Sequence, residues 1–195
     1  MPILKLVRWG ALALAAVLGA VLLVKTYFPA SGPVIQIGQP FKLVAARGGT
    51  VDSETLKGHP YGVFFGFTHC PEVCPTTMYE MTKAYKSLGD EAKDLRLFFI
   101  TIDPERDTAA FLENYLANFD PRIEGLIPPV DELPALAKSF RVIYEKVPTS
   151  DGSYTMNHTA TVFLFDAKGN FHSTIAYGEA EENRIAKLKR LLAGE

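Results

Sequence analysis

The chain has 195 residues, of which 48% are hydrophobic and 22% charged, with a formal charge of −2 at pH 7. No basic stripe interleaves with aromatics, which argues against a nucleic-acid partner. Two cysteines are too few to scaffold a domain of this size with disulfides, and a chain this long buries enough carbon without them.

The first thirty residues contain Lys5, Arg8 and Lys25 and no acid, and the run WGALALAAVLGAVLLV from Trp9 to Val24 is uncharged. A cleaved signal peptide is one reading. Against it, the apolar run is long for such a segment, and the exit KTYFPASG lacks an Ala-x-Ala cleavage pattern. The preferred reading is a retained membrane anchor over residues 1–30. The run falls short of the roughly 20 residues a spanning helix needs. Leu4, Leu6 and Val7 extend it, however, and Arg8 and Lys25 can snorkel to the interfaces. Lys5 and Arg8 stay on the cytoplasmic side, which sends the remainder outward. The exported part then carries a charge of −5, the three N-terminal positives having been removed from −2.

Residues 31–40, punctuated by Gly and Pro, form a linker, and residues 41–195 suit a single domain. FKLVAARGGTVD predicts a strand, a turn at Gly48 and Gly49, and a returning strand. YGVFFGF is continuously apolar and predicts a strand buried on both sides. A helix should follow, with Pro75 in its first turn, Met78, Met81, Tyr85 and Leu88 on one face, and Gly89 at its end. LRLFFITID predicts the next buried strand. DPERDTAAFLENYLANF predicts a helix that places Phe111, Leu112, Tyr115, Leu116 and Phe119 on one side. DELPALAKSF reads as a short helix, RVIYEKV as a strand, and PTSDGSYTMN as a polar loop or hairpin tip. HTATVFLFD and FHSTIAY flank the hairpin turn AKGN, and the tail carries Ile185, Leu188 and Leu192 as a helical stripe. The order implies an α/β fold, a mixed sheet with helices on both faces.

Chemistry concentrates in FGFTHCPEVCPTTM, Phe65 to Met78, which holds both cysteines, Cys70 and Cys74. Cys70 falls in the loop leaving a strand and Cys74 at the start of a helix, where unpaired amides and the dipole favour thiolate over thiol. A thiolate serves metal binding and disulfide exchange equally. A static disulfide and a pair of free buried cysteines are the plainer alternatives. The placement at a strand-to-helix exit, where α/β domains keep ligands, favours function. Of the four histidines, His59 and His172 read as surface residues. His69 adjoins Cys70. His158 begins a buried-looking run after a polar loop, where its ring could hang over the end of the sheet. Cys70, Cys74 and His158 would make a soft three-donor set that suits copper, with no fourth ligand of the kind structural zinc requires. Met156, two residues before His158, is a candidate axial thioether.

Three stretches, FFGFTHCPEVCPTTM, TIDPERDT and NHTATVFLFDAKGN, resemble the Sco/SenC family of copper-handling assembly factors of cytochrome c oxidase. The resemblance covers essentially the whole exported domain. It implies a thioredoxin-like fold behind a single N-terminal transmembrane helix, in a bacterial inner membrane with the domain in the periplasm. It implies Cu(I) or Cu(II) held by Cys70, Cys74 and His158, with His69, Asp103 and Asn157 as neighbours of those ligands. It further implies a partner, oxidase subunit II, whose copper-A site receives the metal, along with other periplasmic copper chaperones and thiol reductants. The alternative it carries is a thiol-disulfide oxidoreductase, with Cys70 and Cys74 as the redox pair, that reduces the oxidase cysteines. One departure is visible: the family often has Asp immediately before the histidine, and here Asn157 stands there. An amide cannot supply a carboxylate's charge, so the departure bears on copper affinity.

Overall fold

The computed structural model describes residues 9–10, 14–15, 17–20 and 36–195. The chain divides into two compact units, Met1–Ile35 and Gln36–Glu195. In the first, the described residues are helical. The rest of the expected anchor, and residues 31–35 of the expected linker, lie outside the described residues. Among the described residues, no helix is long and apolar enough to cross a membrane.

The second unit runs β1 (Lys42–Ala45), β2 (Thr50–Asp52), β3 (Tyr61–Gly66), α1 (Val73–Leu88), β4 (Arg96–Thr101), α2 (Ala109–Leu116), β5 (Ile123–Ile127), α3 (Leu133–Ser139), β6 (Tyr144–Pro148), β7 (Tyr154–His158), β8 (Thr161–Phe165), β9 (Phe171–Ala176) and α4 (Glu181–Ala193). Seven strands form one sheet in the order β2-β1-β5-β4-β3-β8-β9. β3, β4 and β5 are mutually parallel, while β1 and β8 pair antiparallel to β5 and β3. All six residues of β3 are buried, as its unbroken apolar run requires in the middle of a covered sheet.

Helices cover both faces. On one, Phe140 at the end of α3 packs against Phe65 and Phe163, with ring centroids 5.0 and 5.7 Å away. On the other, Tyr115 of α2 lies 5.9 Å from Phe99. There α2 comes so close to β5 that a Cβ on Gly125 would stand 2.6 Å from Leu112. Met78, Met81, Tyr85 and Leu88 of α1 are all buried, Pro75 sits in its first turn, and the Gly89 amide closes it on the Tyr85 carbonyl.

Four expectations need correction. The sequence reading places no strand at Ile123–Ile127, because Glu124 and Gly125 interrupt the apolar run. Glu124 is buried in β5 by pairing with Arg96. Phe111 is 52% exposed, because α2 buries only Leu112 and Leu116 deeply. The stretch expected as a polar loop or hairpin tip does hold the tip, residues 149–153, but from Tyr154 it is already β7, which pairs with β6 in a separate two-stranded sheet. His158 therefore ends a strand of this small hairpin and does not begin the buried strand β8, which starts at Thr161.

Candidate metal centre

The chain leaves β3 at Gly66 and enters α1 at Val73, so Cys70 lies in the connecting loop and Cys74 is the second residue of the helix. The Cys74 amide, one of the free donors at the helix start, points at the Cys70 Sγ from 3.3 Å. Cys70 is 9% exposed and Cys74 fully buried. The hydrogen bond from the Cys74 thiol is the largest influence on Cys70. With the amides of Cys74 and Glu72, it outweighs burial and pulls the Cys70 thiol down to about 4. Cys74 moves the opposite way, first because burial disfavours its charge, then because its proton is held in the hydrogen bond to Cys70, which already carries the negative charge. The pair thus rests as one thiolate and one thiol.

His158 closes on this pair from β7, with Nε2 3.5 Å from the Cys74 Sγ. Its Nδ1 is 3.1 Å from the Thr159 carbonyl, which can only accept, so Nδ1 carries a proton. In the neutral ring, Nε2 is then the lone-pair nitrogen and faces the sulfur. The rings of Phe64 and Phe67 stand edge-on to the imidazole at 6.0 and 5.8 Å and restrict its tilt. The donor atoms of Cys70, Cys74 and His158 all lie within 4.8 Å of one another. Cys70 and His158 line a cleft of about 290 Å³ whose walls also include Pro71, Val73 and Met156, with Cys74 buried behind them. Two sulfurs and one imidazole fit a soft cation, and among the described residues no carboxylate joins the group.

The loop after β4 holds both halves of this site in place. Asp107 is fully buried. It accepts from the Thr68 amide and hydroxyl at 3.1 and 2.6 Å and from the Thr101 hydroxyl at 2.6 Å, which pins the chain two residues before Cys70. Asp103, also buried, accepts from the Tyr154 hydroxyl at 2.8 Å and from Arg106 at 2.5 Å. Arg106 in turn donates to the Tyr154 carbonyl and stacks 3.7 Å over its ring. Tyr154 begins the strand that ends in His158, so Asp103 acts on the site through that strand and touches no donor atom.

The other expected neighbours sit farther out. His69 is outside the donor group. Its ring stacks on Phe111 at 5.5 Å, and its Nδ1 lies 3.1 Å from the Thr68 hydroxyl. Asn157 is exposed at the rim of the cleft, opposite Glu145 in the hairpin. The roles of Asp107, Tyr154, Phe64 and Phe67 are absent from the sequence reading. The only signal for any of them is the last residue of DPERD, Asp107.

The asymmetry of the two sulfurs is measurable. Iodoacetamide should alkylate Cys70 of the reduced, metal-free protein at a rate that is flat above about pH 5 and falls as the pH drops through about 4, where the thiolate is protonated. In Cys74→Ala the midpoint should move upward, because the main hydrogen bond is gone. A wild-type midpoint near the usual thiol value would remove the shared proton.

A family model described as SCO1/SenC matches residues 30–193. An SCO2-like protein of Rickettsia felis is 35% identical over 139 residues, 70% of this chain and 68% of its own. The structure of Bradyrhizobium japonicum ScoI with copper bound superposes with a TM-score of 0.73 at 44% identity, over 80% of this chain and 99% of that one. BsSco, described with a disulfide switch and as a member of the Sco family of cytochrome c oxidase assembly proteins, matches with a TM-score of 0.65 at 26% identity, over 85% and 98%. With the thioredoxin-like α/β sheet and the Cys-Cys-His cluster in place, the chain belongs to the SCO1/SenC family.

Proposed function

We propose that this protein is a membrane-tethered copper carrier that delivers copper to the copper-A site of cytochrome c oxidase subunit II. Cys70, Cys74 and His158 are the ligands of its cargo. One observation carries the reading: donors 84 residues apart in sequence, the Cys74 sulfur and the His158 nitrogen, stand 3.5 Å apart behind a cleft that Cys70 and His158 line. Copper held by a chain 44% identical supports the choice of metal. Residues 1–30 anchor the chain in a bacterial inner membrane, with the second unit in the periplasm. Other copper chaperones and thiol reductants there would load it and keep it reduced.

The resting state suits this work. Cys70 is already a thiolate, so loading needs only the Cys74 proton to leave. The rim position lets thiolates of an acceptor replace the ligands one at a time. A two-electron oxidant that joins Cys70 to Cys74 removes both sulfur donors and empties the site. The disulfide switch described for BsSco supports such gating.

A second reading, a thiol-disulfide reductase, is favoured by that same cleft-lining thiolate backed by a fully buried thiol. Cys70 would attack a partner disulfide, and Cys74 would then resolve the mixed disulfide, leaving the partner with two thiols. Titration of the reduced protein with one equivalent of Cu(II) separates the two readings. The carrier predicts a thiolate-to-copper charge-transfer band that is lost or reshaped in His158→Ala. An unchanged spectrum in that variant removes His158 from the site. If oxidase copper content is normal in cells carrying His158→Ala while thiol exchange persists, the reductase reading replaces the carrier.

A further inference from the structure

Met78 and Met81 belong to the core face of α1, but Met156 is placed differently. It is 5% exposed and lines the cleft together with Cys70 and His158. Side chains alternate along β7, so Tyr154, Met156 and His158 share one face. The two flanking members are both engaged with the main body of the domain: the Tyr154 hydroxyl with Asp103 at 2.8 Å, and the His158 Nε2 with the Cys74 sulfur at 3.5 Å. Met156 is held between them and turns inward with them. Its three rotatable bonds let the sulfur reach over a range of positions from a fixed Cα.

We propose that the Met156 thioether is a fourth donor to copper in the Cu(I) state, a proposal that rests on the carrier reading above. A thioether is neutral and soft, needs no deprotonation, and favours Cu(I) over Cu(II). It supplements two thiolates and an imidazole without adding charge. The bare core-filling role differs in one respect: leucine fills the same space, conserving volume and packing, but has no sulfur.

The test uses the full chain, labelled with selenomethionine, reduced and loaded with one equivalent of Cu(I). Selenium-edge X-ray absorption should show a selenium–copper path in the parent protein and none in Met156→Leu. A chelator competition should show the Cu(I) dissociation constant rising about tenfold in Met156→Leu, with Cu(II) binding within about twofold of the parent. The Cu(II)/Cu(I) potential should fall by about 59 mV, the one-electron equivalent of that tenfold change. Copper bound by the labelled parent with no selenium–copper path overturns the proposal and leaves the carrier reading intact, whether or not the variant folds. An unchanged Cu(I) constant in Met156→Leu does the same. Failure of the parent to bind copper overturns both.

Discussion

Cys74→Ala should abolish useful copper binding while leaving the fold standing. The sulfur removed lies 3.5 Å from the His158 Nε2, in a group whose three donor atoms all lie within 4.8 Å of one another. Losing a residue that merely orients a metal ligand costs about 10–100-fold in affinity, so losing a thiolate ligand should exceed about a hundredfold. Stability should change far less, by about 1 kcal/mol, since one small buried atom is deleted from an otherwise intact helix start. The measurement is a Cu(I) competition titration beside a thermal melt. A dissociation constant within tenfold of the parent, with the melt unchanged, would end the three-donor site.

Asp107→Ala should be the most damaging change away from the donor atoms. Its carboxylate is fully buried and takes three hydrogen bonds, two from Thr68 and one from Thr101. Alanine strands those donors in a dry interior, each at a cost of roughly 1–3 kcal/mol where water cannot reach, so a total near 3 kcal/mol is expected. For a domain of this size that is about 6–12 °C in Tm. Copper affinity should fall with it, because the chain that presents Cys70 is no longer held at Thr68. Asp107→Asn distinguishes a charge from a shape. It keeps one oxygen for the Thr68 amide and the Thr101 hydroxyl, and the Thr68 hydroxyl can rotate to accept from the new amide, so about 1 kcal/mol should be lost. Equal losses in the two variants would show that the negative charge, and not the bonding pattern, holds the loop.

The elements that were legible in the sequence are those whose signal is local. YGVFFGF and LRLFFITID each announce a doubly covered strand by being apolar without a break, and the three- and four-residue spacing of Met78, Met81, Tyr85 and Leu88 announces a helix face. β5 was not legible, because its burial depends on partners elsewhere. Arg96 compensates Glu124, and α2 takes the room that Gly125 leaves. Phe111 followed the helical pattern but is freed by where α2 meets the sheet, and it stacks on His69 instead. β6 was legible in RVIYEKV, but its partner β7 was obscured. A two-stranded hairpin standing apart from the main sheet needs no regular alternating apolar face, and in β7 only Met156 is buried.

By itself, the sequence settled which atoms could do chemistry. Two sulfurs at a strand-to-helix exit and a small set of histidines admit few ligand combinations, and helix-start amides favour thiolate wherever the helix lies. His158 was already the histidine the sequence pointed to; only the tertiary structure brought its Nε2 to 3.5 Å from the Cys74 sulfur, decided which of the two sulfurs carries the charge, and showed that Asp107 and Asp103 hold the two halves of the site from one loop. Those outcomes depend on distances across 84 residues of chain and on how deeply each sulfur is buried. Long-range approach and desolvation are properties of the packed molecule, and no local pattern of residue types encodes them.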